Sequence, residues 1–308
     1  MSSPFSSYDC ESDGTWSGPP NGFSYFPKGS FPESHAYQFI PLGQSRTVWI
    51  ATPPDRECTL SVVDPANTFG GIAIETEAAR TVGGLFDVFT LKPMSTTAFA
   101  LRAAAEATRI FVLSTPGSAE RPTFYVDGGG VITIHYSVSV VLRDCSLSLI
   151  YSEGALLNLL SEVESIYARQ ANIRLVRVGP IHKLEFRGMS LGPQIITDGP
   201  QGEAIRDHIT AAGRGHLKNL VYGWDFETKP KPQNASDLSS GLAGGNVAFI
   251  DWGNPAMVTV HEFGHLIGLP DRPKGDVTIM QPTRSMRKFI GFDGFQIEMI
   301  RRVGRLLP

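Results

Sequence analysis

Between residues 37 and 114 apolar and polar positions alternate in short runs, "YQFIPL", "RTVWIA", "CTLSVV", "GIAIET", "FDVFTL", "TAFALRA" and "TRIFVLS". Turn formers such as "TPPD", "DPANTFGG" and "TPGS" separate them. A period of two sends every second side chain to one sheet face, so these runs predict half-buried strands and an all-β sandwich over residues 34–125. Residues 1–33 are rich in Ser, Gly and Pro with scattered aromatics, and predict an irregular arm suited to wrapping a surface.

Near residue 130 the period changes. "VITIHYSVSVVL" still alternates, but "SEGALLNLLSEVESIYARQA" brings Leu156, Leu159, Leu160, Val163, Ile166 and Tyr167 to one helical face, and "NIRLVRV" returns to a strand. Strand, helix, strand implies a right-handed crossover and a mainly parallel sheet. "HLKNLVYGWDF" supplies a further strand. After the Gly/Ser/Pro-rich loop "KPKPQNASDLSSGLAGG", "NVAFIDW" reads as a short strand ahead of an apolar helix. In the last stretch Phe292, Phe295, Met299, Val303 and Leu306 share one helical face, with Arg301, Arg302 and Arg305 elsewhere, which suits a closing helix. The expected fold class is multi-domain, an all-β sandwich followed by an α/β (α+β) domain over 130–308.

Composition narrows the classes of function. At 308 residues the chain is long for one unit, and 42% hydrophobic with 19% charged residues suits a globular protein. A net charge of -3 gives no general pull toward nucleic acid. No run of about 18 apolar residues occurs, so no membrane-spanning helix is expected. The first residues lack the basic then apolar pattern of a secretory signal, and export by another route is the expectation. Cys10, Cys58 and Cys145 are odd in number and widely spaced, which suits reduced thiols better than a disulfide framework. A monomer is expected.

The chemistry is concentrated in "VTVHEFGHLIGLPD", residues 258 to 271. Side chains four apart lie one above the other on a helix, so His261 and His265 can present ring nitrogens to one metal ion, with Glu262 beside it. Zinc held by three protein ligands keeps one position for water and lowers that water's pKa to about 7, and a neighbouring carboxylate can take the proton. The third ligand has to come from beyond the helix. Gly268 can take the left-handed conformation that ends a helix, Pro270 cannot continue one, and Asp271 then reaches the metal. By chance HExxH arises on the order of once per hundred chains of this size. The alternative is an apolar helix whose two histidines are hydrogen-bonded in a core.

On these residues the chain resembles the metzincin clan of zinc peptidases. "HEFGHLIGLPD" is similar to the signature HExxHxxGxx(H/D) in its aspartate form, the form seen in the snapalysin group of small bacterial neutral proteases. "VTIMQP" offers Met280 for the methionine turn that packs beneath the metal in that clan. The resemblance covers about residues 130 to 308. It implies one catalytic zinc on His261, His265 and Asp271, Glu262 as general base, and a protein or peptide substrate laid antiparallel to an edge strand. "NVAFIDW", with Val247, Ala248 and Phe249, is placed for that edge. Two departures stand out: Asp271 makes the ligand set anionic, which leaves the metal less electrophilic, and Gln281 and Pro282 follow Met280 where some branches carry a tyrosine. The stretch from "FDVFTL" to "IFVLS" looks like the last strands of bacterial immunoglobulin-like modules, so the sandwich is expected to be an immunoglobulin-like packing or spacing domain.

Other candidates are weaker. Glu298 or Asp293 would serve as third ligand in other HExxH families, but their flanking residues differ from those families' patterns. Cys58 or Asp55 would serve as a latency device by capping the metal from the N-terminal half. His135, His182, His208 and His216 read as structural or surface residues, and Asn234 begins a glycosylation sequon. The rival functions are an exported effector protease with one protein target, and a binding or adhesion protein with an inactive zinc site.

Overall fold

The computed structural model describes residues 4–8, 24–25, 36–64, 71–83, 86–142, 152–186, 194–228, 241–271, 279–280, 292 and 294–307. The chain is mostly β-sheet with few helices, an α+β fold of several sheets. It divides into two compact units, one built on Met1–Val131 and the other on Ile132–Gly275 with Ile279–Pro282 and Met299–Pro308.

In the first unit the described strands are β1 (Phe5–Tyr8), β2 (Ser24–Tyr25), β3 (Ala36–Pro41), β4 (Ser45–Ala51), β5 (Cys58–Val63), β6 (Ile72–Glu75), β7 (Ala79–Gly83), β8 (Phe86–Leu91), β9 (Thr96–Ala103), β10 (Ala107–Ser114) and β11 (Thr123–Gly129). They form two sheets, one in the order β1-β4-β9-β6 and one in the order β2-β3-β11-β10-β5-β8-β7. Alternation decides which side chains meet between them. Val48 and Ile50 of β4, Phe99 and Leu101 of β9, Leu60 of β5, and Phe111 and Leu113 of β10 all join one apolar core. Each of the seven alternating runs coincides with a strand, two of them overrunning it by a residue at an end: Leu42, and Gly71 and Thr76.

The expected irregular arm is corrected at both of its described pieces. β1 pairs antiparallel with β4, and β2 pairs antiparallel with β3. Phe5 is the reason at β1: its ring is buried against Phe124, centroids 4.7 Å apart at 62°. A single aromatic in a polar stretch gives no periodic signal, yet it joins the core. β11 was also absent from the expectation, because "TFYVDGG" ends in glycines; its inward side chains Phe124 and Val126 are fully buried.

The second unit runs β12 (Ile132–Val141), α1 (Glu153–Ala171), β13 (Ile173–Arg177), β14 (His182–Leu184), β15 (Ile195–Ile196), α2 (Pro200–Ala211), β16 (Lys218–Gly223), β17 (Phe226–Glu227), β18 (Gly241–Gly244), β19 (Val247–Asp251), α3 (Ala256–Leu266) and α4 (Gly294–Gly304), whose last turns from Met299 belong to this unit. Its main sheet has the order β13-β12-β16-β19-β18, with β14 also on β12. The pairs β12–β13, β12–β16 and β16–β19 are parallel, and β18 is antiparallel to β19. Both faces are covered, so β12 is buried without interruption from Tyr136 to Val141 despite two serines. Those serines are satisfied: Ser137 donates to Asn219 Oδ1 at 2.5 Å, and Ser139 accepts from Arg214 Nη1 at 2.9 Å.

One face packs Val221 and Phe249 with Ile205 and Ile209 of α2. The other carries Tyr136 and Tyr222 and receives α1 and α3. Ser152 caps α1 by accepting from Ala155 N, and Asn172 closes it in the left-handed region at φ 52°. In α4 the arginine face departs from the expectation. Arg301 is buried and donates from Nη1 to Ala171 O at 2.8 Å, closing the end of α1, whereas Leu306 is exposed.

The expected edge strand is also corrected. Val247, Ala248 and Phe249 lie in β19, which has β16 on one side and β18 on the other. Among the described strands, β18, drawn from the tail of the Gly/Ser/Pro-rich loop, ends the path instead. "GLAG" shows too little alternation over four residues to be read as a strand.

Candidate metal centre

α3 is buried nearly all round, which is why its sequence reads as apolar from Ala256 to Leu266. Three tyrosines from distant elements hold its inner side. Tyr167 of α1 donates to Val260 O at 2.9 Å, Tyr222 of β16 shares a 3.0 Å hydrogen bond with the Thr259 hydroxyl, and Tyr136 meets Phe263 edge-on at 5.9 Å. Burial pushes the phenols of Tyr167, Tyr222 and Tyr136 well above their ordinary range.

The helix ends where Gly268 takes φ 89°. Gly268 N donates to His265 O at 3.0 Å and Leu269 N to Gly264 O at 2.9 Å, the paired bonds of a Schellman motif. The turn has a second effect: it brings Leu269 O to 2.8 Å from His265 Nδ1. Ile279 O lies 2.9 Å from His261 Nδ1. A carbonyl only accepts, so each imidazole carries its proton on Nδ1 and turns a lone pair outward on Nε2.

Those two lone pairs face each other. His261 Nε2 and His265 Nε2 stand 3.1 Å apart, and Asp271 Oδ1 lies 3.4 Å from the first and 3.5 Å from the second. Three acceptors this close repel one another unless a proton or a metal cation lies among them. A tetrahedral zinc with bonds of about 2.0–2.1 Å sets its ligand atoms about 3.3–3.4 Å apart, so the observed triangle has the right size. Among the described residues, His261, His265 and Asp271 form the one such cluster. His261 is buried and Asp271 is exposed, so the centre opens to solvent on the aspartate side.

Glu262 is buried beside His261 on the same helix, with its side chain against Gly241 at the start of β18. Met280 is fully buried beneath the helix at Gly264. Val247, Ala248 and Phe249 stay in the interior of the sheet.

Cys58 is corrected. It is fully buried in the core of the first unit, with Sγ 3.3 Å from Thr115 Oγ1, and so cannot serve as a metal cap. A thiol in a β core behaves as a small apolar group. Asp55 is exposed and paired with Arg56, which holds its carboxyl below the usual range. His135, His208 and His216 are exposed and His182 is half-buried, all outside the cluster. Cys10, Cys145, Asn234, Gln281, Pro282, Asp293 and the side chains of Phe295 and Glu298 lie outside the described residues. Sequence reasoning missed the supporting roles of Tyr167, Tyr222 and Gly241. Their partners are far away in the chain, and no local spacing announces them.

No protein family model matches the chain, and no curated protein matches it. Among solved structures, metalloproteinase-II from Bacteroides fragilis is similar over 92% of this chain and 91% of its own, at 8% identity and a TM-score of 0.40. SSP-19, an MSP-domain protein like family member of Caenorhabditis elegans, is similar over 30% of this chain and 92% of its own, at 14% identity and a TM-score of 0.21. Such TM-scores leave the functional argument to the residues of this chain. No described helix is long and apolar enough to cross a membrane.

Proposed function

We propose that the chain is a zinc-dependent endopeptidase of the metzincin kind, with His261, His265 and Asp271 as metal ligands and Glu262 as general base. The observation that carries this reading is the triangle of 3.1, 3.4 and 3.5 Å between two Nε2 lone pairs and one carboxylate oxygen, each imidazole being oriented by a backbone carbonyl. The three ligands found among the described residues leave the kind of open position a catalytic site uses. When bound, zinc supplies a Lewis acid for the peptide carbonyl and acidifies water to a pKa of about 7.

The chain's own residues do the rest. Glu262 accepts the proton of the attacking water and returns it to the leaving amine. Its burial, its place next to His261 on the helix and its contact with β18 suit that transfer. β18 ends the sheet next to α3 and is the strand against which an extended substrate peptide would pair, with main-chain bonds giving affinity and little demand on sequence. Met280, buried under Gly264, supports the helix without touching the metal. The first unit serves as a packing or spacing module in this reading.

The test is metal content measured together with cleavage of a denatured protein, for the full chain and for Glu262→Ala. Retained zinc with cleavage lost, by a factor of about a thousand or more, is the expected result for a missing general base. Zinc without cleavage in either form would turn the reading toward a binding protein or a narrow-target effector. Absence of metal binding would overturn it.

A further inference from the structure

The contact between Glu262 and β18 leads further. A Cβ placed on Gly241 would stand 2.5 Å from Glu262 Cγ, 2.6 Å from Oε1 and 2.7 Å from the carboxyl carbon. Real Cβ atoms do not approach other heavy atoms so closely, and all three of these atoms belong to the one side chain assigned to proton transfer. At the far end of the same strand, a Cβ on Gly244 would meet nothing within 4 Å. The need for glycine is therefore local to the carboxylate and is not a demand of the strand.

We infer that Gly241 is a positioning residue for Glu262: the absence of its side chain forms the slot in which the carboxylate is held. The inference rests on the reading of Glu262 as general base. The geometry also predicts how a side chain at 241 is accommodated. Glu262 lies on a buried helix held by Tyr167 at the Val260 carbonyl and by Tyr222 at the Thr259 hydroxyl, so the helix does not retreat. β18 is bonded in register to β19, with Gly241 opposite Ile250. The softest coordinate left is rotation of the Glu262 side chain about its own torsions. That rotation carries the carboxylate out of its slot and leaves His261, His265 and Asp271 where they are.

The outcome is a separation of metal binding from catalysis. In the full chain, Gly241→Ala should bind zinc with unchanged stoichiometry and give the wild-type cobalt(II) absorption spectrum. Its kcat should fall by about ten- to a hundred-fold, the scale expected when a reacting group is displaced by about 1 Å. KM should change by less than about three-fold, because the loss is in proton transfer rather than in binding.

A double-mutant cycle on stability gives the second reading, independent of activity. Glu262→Ala removes all three atoms that a methyl group at 241 would strike, so Gly241→Ala should lower the unfolding midpoint in the wild-type background and leave it unchanged or raised in the Glu262→Ala background. Additive effects at the two positions, or a Gly241→Ala variant with full kcat, would overturn the inference. Loss of metal in Gly241→Ala would also overturn it, since the substitution would then act on the ligands. If the wild-type chain binds metal but cleaves nothing, the peptidase reading fails and the catalytic inference with it, while the stability cycle still reports whether the contact exists.

Discussion

Met280 occupies the space that a side chain at position 264 would need: a Cβ on Gly264 would stand 2.5 Å from the Met280 sulfur and 3.0 Å from its methyl carbon. One residue earlier, Ile279 O holds the Nδ1 proton of His261. The same short segment thus supports the helix from below and orients the ring of a proposed metal ligand, so packing and the candidate metal centre are joined here. Gly264→Ala is expected to cost about 1–3 kcal/mol by overpacking and to weaken zinc binding, because relief pushes residues 279 and 280 away from His261. Urea unfolding and competition with a chromophoric chelator measure the two effects. Stability lost with zinc affinity intact would separate them.

Gly268 carries a different constraint. At φ 89° an L side chain is strained, and the hydrogen bonds of the turn decide where Leu269 O and Asp271 stand. Gly268→Ala is expected to cost about 1–2 kcal/mol and to lower zinc affinity by about ten- to a hundred-fold through the misplaced carbonyl on His265. Isothermal titration with zinc, compared with Asp271→Ala, checks it. Affinity equal to wild type would show that the aspartate finds the metal without the turn.

The buried phenols on the inner side of α3 predict an alkaline limit. Tyr167 and Tyr222 have folded pKa values raised above the ordinary 10.0, chiefly by burial. Their contribution is therefore fully present below about pH 10 and is lost as pH rises from there through the folded values, because the unfolded chain ionises first. Each phenol should add a slope of about 1.4 kcal/mol per pH unit to the loss of stability above that point. Unfolding free energy measured from pH 8 to 11 should bend downward, and Tyr222→Phe should remove one such increment. An identical bend in Tyr222→Phe and Tyr167→Phe would assign the effect to other groups.

Cys58 predicts inertness. With its side chain in the apolar core, Cys58→Ala should reduce stability by about 1 kcal/mol and leave zinc affinity and cleavage unaltered. A thiol reagent should modify Cys58 only under unfolding conditions. Rapid labelling of Cys58 in the native protein, followed with a Cys10→Ser, Cys145→Ser background, would contradict the burial.

Much of the architecture was legible because burial repeats with a local period. The runs from "YQFIPL" to "TRIFVLS" fall on strands, and the stripe from Leu156 to Tyr167 became the buried face of α1, with Leu159 half-buried at its margin. Elements with no repeat were not legible. β1 depends on the single ring of Phe5, and β18 is four residues of "GLAG" whose strand character comes from bonds to β19. Without those bonds, nothing in the composition separates them from loop.

The division is the same at the site. The sequence by itself determined the local geometry: two histidines one helical turn apart, a carboxylate between them, and a glycine placed to end the helix, since each depends on residues within a few positions of one another. Only the tertiary structure decided which carbonyls orient the rings, that β18 rather than β19 ends the sheet, that Cys58 belongs to a core, and that Gly241 faces Glu262. Most of those relations join residues distant in the chain, and their energy exists only once the loops between them have closed; the Leu269 carbonyl on His265, four positions on, depends instead on the turn at Gly268.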